Sequence, residues 1–324
     1  MIADMASRQS AELVSYSGEI STQPIDERQD MRFVAQVFAR TSLPYRQPRA
    51  GTQAWVRRNG AWTLTVQPGM TNDAAGNPVS IGFPYGTMPR LLSMWMSTEA
   101  ARTRQRTLVL GDNLHDFMDR VGIKKKSGGP RGTITTLRDQ AEKLFLSTVS
   151  VRFEGDPDRQ VGSRVSVVTN YSLWWSKDAA GDDTLMPSTV TLTQEFFEEC
   201  TNYPVPVDMA TIQKLRGSAM RIDIYIWLTH RMSYLKNPSL VPWDALQLQF
   251  GSNVNSGRQG ARKFRLDFTE NLNKVLAVYD KASARATDQG VFLLPGATDI
   301  RPSQSRELRS LESEWRSARQ DQLF

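Results

Sequence analysis

Cysteine and histidine are nearly absent from this chain: its 324 residues hold one cysteine and two histidines. A single thiol, Cys200, cannot close an intramolecular disulfide, so a disulfide framework is impossible and a reducing compartment is the natural setting. The two histidines, His115 and His230, stand far apart on different predicted helices. Metal-dependent strand cleavage needs closely paired histidines beside a tyrosine nucleophile, and that set is missing. No apolar run is long enough to span a bilayer, and the N-terminus mixes Asp, Glu and Arg without an apolar segment. No membrane partner is expected, and a cytoplasmic location follows. A phosphate-binding loop ending in Gly-Lys-Ser/Thr after a strand is lacking too, since Lys126-Ser127-Gly128-Gly129 has another order and follows a helix. Cys200, among Phe196, Phe197 and acidic residues, reads as a packing residue, and Glu195, Glu198 and Glu199 as a solvated acidic face. The expectation is a protein that is not an enzyme, with no catalytic residue, metal or cofactor.

What the chain does have is enough apolar sequence for real cores, 40% hydrophobic residues, at a length that suits one large or two ordinary domains. It also carries a formal net charge of +6 and a pI near 9.5. An excess of cations suits an anionic partner, although a merely soluble basic protein has the same balance.

From Gly82 to Thr148 the pattern is that of a helix-turn-helix core with a wing. Met88, Leu91, Leu92 and Trp95 recur at helical spacing after Thr87, with Pro89 where a first turn tolerates it, which predicts a helix with one buried stripe. Thr107 to Leu110 reads as a strand. Asp112 is the predicted cap of a second helix carrying Leu114, Phe117, Met118 and Val121, closed by Gly122. A positive, flexible connector, Lys124 to Arg131, leads to a third helix from about Thr133, with Ile134, Leu137, Ala141, Leu144 and Phe145 inside and Thr135, Thr136, Asp139 and Lys143 outside. Val149–Phe153, Arg164–Trp175 and Thr189–Leu192 alternate as antiparallel strands do.

A comparable order of elements follows without residue-level repetition. Asp208 opens a short helix ending near Gly217, and Ser218 caps a longer one with Met220, Ile224, Trp227, Leu228 and Arg231 on its spacing. Pro242 opens a brief helix through Trp243, Leu246 and Leu248 to Gly251. From Gly260 to Leu276 an amphipathic helix turns Phe264, Phe268, Leu272, Val275 and Leu276 inward. Its outward face carries Arg262, Lys263, Leu266, Thr269 and Asn273, with Arg258 and Arg265 at its start. Ala277–Tyr279 and Val291–Leu294, about a turn at Asp288 and Gly290, would close a second wing.

The resulting fold class is α+β: two winged-helix domains in tandem, mostly helical, with small antiparallel sheets. The expected divisions are a flexible segment over 1–49, a first winged-helix domain over 50–187 with a hairpin at Trp55–Val66, a second, DNA-binding one over 188–300, and a charged tail over 301–324. Within the tail, Ser303 to Gln322 could form a surface helix.

In this order the residues resemble the plasmid-encoded replication initiators of the RepA type, which are related in fold to double winged-helix initiators. The phrases that carry the resemblance are Tyr85-Gly86-Thr87-Met88-Pro89-Arg90-Leu91-Leu92 followed by Trp95 and Thr98-Glu99-Ala100, then Leu110-Gly111-Asp112 and Gly128-Gly129-Pro130-Arg131-Gly132-Thr133-Ile134. Pro206-Val207-Asp208, Ala219-Met220-Arg221-Ile222-Asp223-Ile224-Tyr225 and Phe250-Gly251 continue it, so that it spans roughly Gly82 to Leu294. The resemblance implies binding to repeated duplex DNA sites at a plasmid origin, opening of nearby AT-rich DNA, recruitment of a host initiator and the replicative helicase, and repression of the chain's own gene. It also implies a homodimer, with one module serving dimerisation as well as DNA contact. A winged-helix transcriptional regulator without initiator activity is the alternative.

In the winged-helix context the last helix is the natural reader of the major groove. Arg262 and Lys263 suit guanine, Asn273 suits adenine, Thr269 suits either, and Leu266 suits a thymine methyl. Arg258 and Arg265 are better placed for phosphates, which set register without specifying sequence. In the first module Lys124, Lys125, Lys126 and Arg131 are candidate phosphate contacts, with Thr133, Thr135 and Thr136 near the helix start; a solvated loop competes with that reading of the lysines.

Overall fold

A computed structural model describes residues 31–156, 159–173, 188–202, 204–251 and 257–299. Residues 31–49, expected within a flexible segment, instead begin the core. Strand β1 (Met31–Val34) and helix α1 (Gln36–Arg40) bury Phe33, Val34, Val37 and Phe38, and Leu43 follows them inside. β1 lies against helix α2 (Met88–Thr103), which was expected to bury one stripe and is buried round most of its circumference, Ser93, Ser97 and Thr98 included. The cause is hydrogen bonding. The backbone N–H of Phe33 donates to Thr98 Oγ1 at 2.8 Å and that of Ala35 to Ser97 Oγ at 3.2 Å. The hydroxyls of Ser93 and Thr98 donate one turn back, to the carbonyls of Pro89 and Met94. A polar face whose groups are satisfied in this way can be buried at little cost, and small side chains let a strand approach closely.

The predicted hairpin about Asn59-Gly60 forms, with β2 (Trp55–Asn59) paired to β3 (Trp62–Gln67) and Gly60 at a φ of 57°. A small hairpin, β4 (Met70–Asn72) and β5 (Pro78–Ser80), precedes α2. After α2 come β6 (Thr107–Gly111), α3 (Leu114–Val121) and α4 (Thr133–Leu146). The cap of α3 is Asn113 rather than Asp112: the Asn113 side chain accepts the Asp116 N–H at 2.9 Å, while Asp112 donates its own N–H to the Asp116 carboxylate. Gly122 ends α3 in the left-handed region as expected, with a φ of 87°.

Next follow β7 (Thr148–Asp156), β8 (Arg159–Ser166), β9 (Val168–Ser172) and β10 (Ser188–Leu192). Arg164–Trp175, read as one strand, is divided at the fully buried Val167: β8 joins the antiparallel sheet β2-β3-β7-β8, and β9 joins β6-β10-β9. Trp175 lies outside the described residues, as does Ser303–Gln322.

The second half runs through α5 (Gln194–Asn202), β11 (Val205–Asp208), α6 (Met209–Leu215) and α7 (Ala219–Met232) to β12 (Ser239–Pro242), α8 (Trp243–Phe250), α9 (Arg258–Leu276), β13 (Ser283–Ala286) and β14 (Gly290–Leu294). β11 pairs antiparallel with β1, tying the start of the described chain to its middle. Asp208 caps α6 as expected, accepting from the Ala210 and Thr211 N–H groups. Ser218 precedes α7 but makes no side-chain cap, its hydroxyl lying 3.4 Å from Asn271 Oδ1. No strand occupies Ala277–Tyr279: Val278 and Tyr279 are buried in the turn leaving α9, and the hairpin starts at Ser283. Leu248 faces out, because α8 packs through Trp243, Leu246 and Phe250.

The order helix–strand–helix–helix–strand–strand thus occurs twice, as α2-β6-α3-α4-β7-β8 and α7-β12-α8-α9-β13-β14. Only the second closes its strands into one sheet, β12-β14-β13. The two leading helices, α2 and α7, are joined by a buried ion pair. Arg90 Nε donates to Asp223 Oδ1 at 2.6 Å and Arg90 Nη2 to Asp223 Oδ2 at 2.7 Å, and the remaining guanidinium donors go to the carbonyls of Leu43, Pro44 and Gly86. Among the described residues nearly all the buried apolar side chains make one continuous cluster.

Candidate nucleic-acid interface

Helix α9 is held by its aromatic stripe. Phe264 and Phe268 meet Trp243 edge-on at 6.4 and 6.0 Å between ring centroids, and Phe268 also meets Phe250 at 5.2 Å and Trp227 at 6.4 Å. Edge contacts of this kind add about 0.5–1.5 kcal/mol each beyond burial. With Leu272 and Val275 also buried, rotation of the helix about its axis is fixed. What that rotation presents outward is cationic and polar: Arg258, Arg262, Lys263, Arg265, Leu266 and Asn273 are exposed, and Thr269 is partly so.

Leu266 is 64% exposed on this face, more than any other large apolar residue described. Arg265 stands at the edge of the face, its guanidinium 6.0 Å from the Trp243 ring. Lys274 pairs with Glu270 at 2.6 Å, one turn apart on the helix. None of the predicted face residues has an ion-pair partner among the described residues.

The connector before α4 is arranged differently. Lys124, Lys125 and Arg131 are exposed, but Lys126 pairs with Asp119 at 2.6 Å. The three threonines spend their hydroxyl protons on the loop: Thr133 donates to the Lys125 carbonyl, Thr135 to that of Gly129 and Thr136 to that of Gly132. Ser127 and Thr133 cap each other, Ser127 N–H donating to Thr133 Oγ1 at 2.9 Å and Thr133 N–H to Ser127 Oγ at 3.1 Å. A Cβ on Gly132 would run into the carbonyl oxygens of Ser127 and Gly128, so the tight loop needs glycine there. The threonines hold this loop in shape, and its solvated cations are Lys124, Lys125 and Arg131.

One feature beside α9 had no signal in the sequence. A cleft of about 1310 Å³ separates the start of α9 from the segment between α1 and β2, and Arg46, Arg49, Arg258 and Lys263 line it. Arg46 and Arg49 are isolated cations in an irregular stretch more than 200 residues from α9, and only folding brings them to it.

The residues weighed for chemistry have ordinary places. Cys200 is fully buried, its Sγ 3.4 Å from Ser97 Oγ, and burial pushes the thiol up to about 12. Burial, with Arg40 and Arg231 nearby, pushes His230 down to about 4, and its Nε2 lies 3.3 Å from Gln36 Nε2. Among the described residues no three of His, Cys, Asp or Glu gather as metal ligands do, and no helix is long and apolar enough to cross a membrane.

Compared with known families, residues 83–245 match the one described as "Plasmid encoded RepA protein", a span of half the chain that stops inside α8. No curated protein matches. A solved structure of domains 2 and 3 of RctB aligns with 80% of this chain and 95% of that one, at 12% identity and a TM-score of 0.45. A likeness that distant carries no argument.

Proposed function

The chain belongs to the family of plasmid-encoded RepA proteins, which are replication initiators, and from that premise we propose that it initiates replication by binding repeated duplex DNA sites at an origin. In this reading α9 enters the major groove. Arg262, Lys263, Thr269 and Asn273 address base edges, Leu266 meets a thymine methyl, and Arg258 and Arg265 contact phosphates. Sequence-specific binding then opens nearby AT-rich DNA and recruits a host initiator and the replicative helicase, and the same binding represses the chain's own gene.

The observation that carries this reading is the exposed cationic face of α9 on a rigid aromatic base. Leu266, exposed within that face, is of the type that makes apolar contact with a thymine methyl in the major groove. Two winged-helix modules are part of the proposal. The order of elements in the second, with β13 and β14 as a hairpin beside β12 and α9 as the third helix, supports it. In the first, the strands divide between two sheets, and the Lys124, Lys125 and Arg131 loop serves as a phosphate contact.

The test is replication of a plasmid that carries only the DNA flanking the gene, with the protein supplied from elsewhere. Dependence of replication on the protein, lost with Arg262→Ala, is expected. Selective binding to that DNA without replication would make the chain a transcriptional regulator instead.

A further inference from the structure

The cleft beside α9 offers a second cationic surface, which shares only Lys263 with the base-reading set. On α9 its lining runs through Gly260, Lys263, Asp267 and Asn271, a stripe at steps of three and four residues that lies on the flank of the helix next to the buried aromatic stripe. Arg262, Leu266, Thr269 and Asn273 make a different stripe. A helix seated in a major groove about 12 Å wide has the sugar-phosphate strands along its flanks, not ahead of its outer face.

Across the cleft stand Arg46 and Arg49, both exposed and neither paired with a carboxylate among the described residues. The chain just before them is fixed by its neighbours. Gly86 N–H donates to the Pro44 carbonyl at 3.0 Å, the buried Arg90 donates to the carbonyls of Leu43 and Pro44, and Trp55 Nε1 donates to that of Ser42. Around the cleft, four cations face one carboxylate, Asp267. Its volume exceeds the roughly 300–1,000 Å³ of small-molecule sites, and those are mostly apolar. Nor does it offer a stacking platform for unpaired bases. The Trp55 ring is buried with the Arg57 guanidinium 3.6 Å from its centroid, and Arg90 lies 5.0 Å from that of Tyr45.

We propose that this cleft seats the phosphate backbone of one strand of the duplex read by α9, with Arg46 and Arg49 as phosphate contacts opposite Lys263. The inference rests on the DNA-binding reading of α9 and extends the interface to the segment between α1 and β2; both lie outside the family match, on either side of it. Arg46 and Arg49 set register and affinity without contributing to sequence preference.

The experiment measures equilibrium binding of the full chain and of R46Q/R49Q to the duplex flanking its gene and to a scrambled duplex, over a salt series. Each lost phosphate contact lowers the steepness of log Kobs against log[salt] by about 0.9, so the double variant is expected to be shallower by about 1.8. Affinity should fall by on the order of tenfold or more near 0.1 M salt, by the same factor on both duplexes, with the preference between them retained. R46Q and R49Q singly should each give half the change in slope. An unchanged slope in R46Q/R49Q, with the wild type still binding selectively, would overturn the cleft and leave the α9 reading standing. Absence of salt-dependent binding by the wild type would overturn both. Saturable binding of inorganic phosphate that R46Q/R49Q loses, with duplex affinity unchanged, would assign the cleft to a free anion and also overturn the proposal.

Discussion

At the scale of single residues, the face of α9 separates groups that choose sequence from groups that only hold DNA. Arg262 begins the outward stripe and is exposed, with no ion-pair partner among the described residues. Arg262→Ala is therefore expected to cost about 1–3 kcal/mol on the specific site, relaxing preference at one or two base positions while binding to scrambled duplex changes little. Competition binding against single-position variants of the site measures this, and an unaltered base preference would remove Arg262 from the reading set. His230 supports a prediction of another kind. Its folded-state value, about 4, lies below the ordinary 6.5, so above pH 6.5 both states are neutral and nothing is lost. Between pH 6.5 and 4 the unfolded chain takes up a proton that the folded chain refuses, so stability falls as the pH is lowered through that window. Relative to His230→Gln, the wild type should lose roughly 1–2 kcal/mol of unfolding free energy between pH 7 and 4.5, a figure reduced for the residue's partial exposure. Parallel stability curves for the two proteins over that range would contradict it.

At the scale of elements, the structure depends on two helices, α2 and α7, that are buried nearly all round and clamped to each other by Arg90 and Asp223. Burial raises the Asp223 carboxyl, and Arg90 opposes that by pairing with it. Removing one partner leaves the other charge buried, so Asp223→Asn should destabilise the fold by about 3–5 kcal/mol. Replacing both by apolar residues of similar volume should recover much of that loss, and denaturant unfolding of the two variants decides it. On the surface, K124Q/K125Q together should weaken binding to specific and scrambled duplex alike and flatten the salt dependence. A loss confined to the specific site would count against a phosphate role for that loop.

The elements also explain what could be read from the sequence. Apolar spacing revealed α2, α3, α4, α7 and α9, because each buries a stripe of large side chains that no loop would place there. It missed β1 because its docking surface on α2 is made of Ser97 and Thr98, which look solvated until a strand supplies the N–H groups that bond them. Asp112 and Asn113 are equally good caps in sequence, and only the backbone decides between them. The outward face of α9 was legible from its own spacing, whereas Arg46 and Arg49 gain meaning only from a neighbour brought up by folding.

At the scale of the molecule, β1 paired with β11 and α2 clamped to α7 make one continuous core of two similar runs of elements. The basic face of α9 then sits on a rigid support, which is what a base-reading surface needs, since a loosely held helix cannot keep its side chains in register with base edges. The central claim is that this surface reads duplex DNA. It is tested most directly by the affinity of the full chain for the duplex flanking its own gene, measured against scrambled duplex over a salt series. The account predicts a preference on the order of 10³-fold or more near physiological salt, with an affinity that falls steeply as salt rises. Equal affinity for the two duplexes at every salt concentration would contradict it.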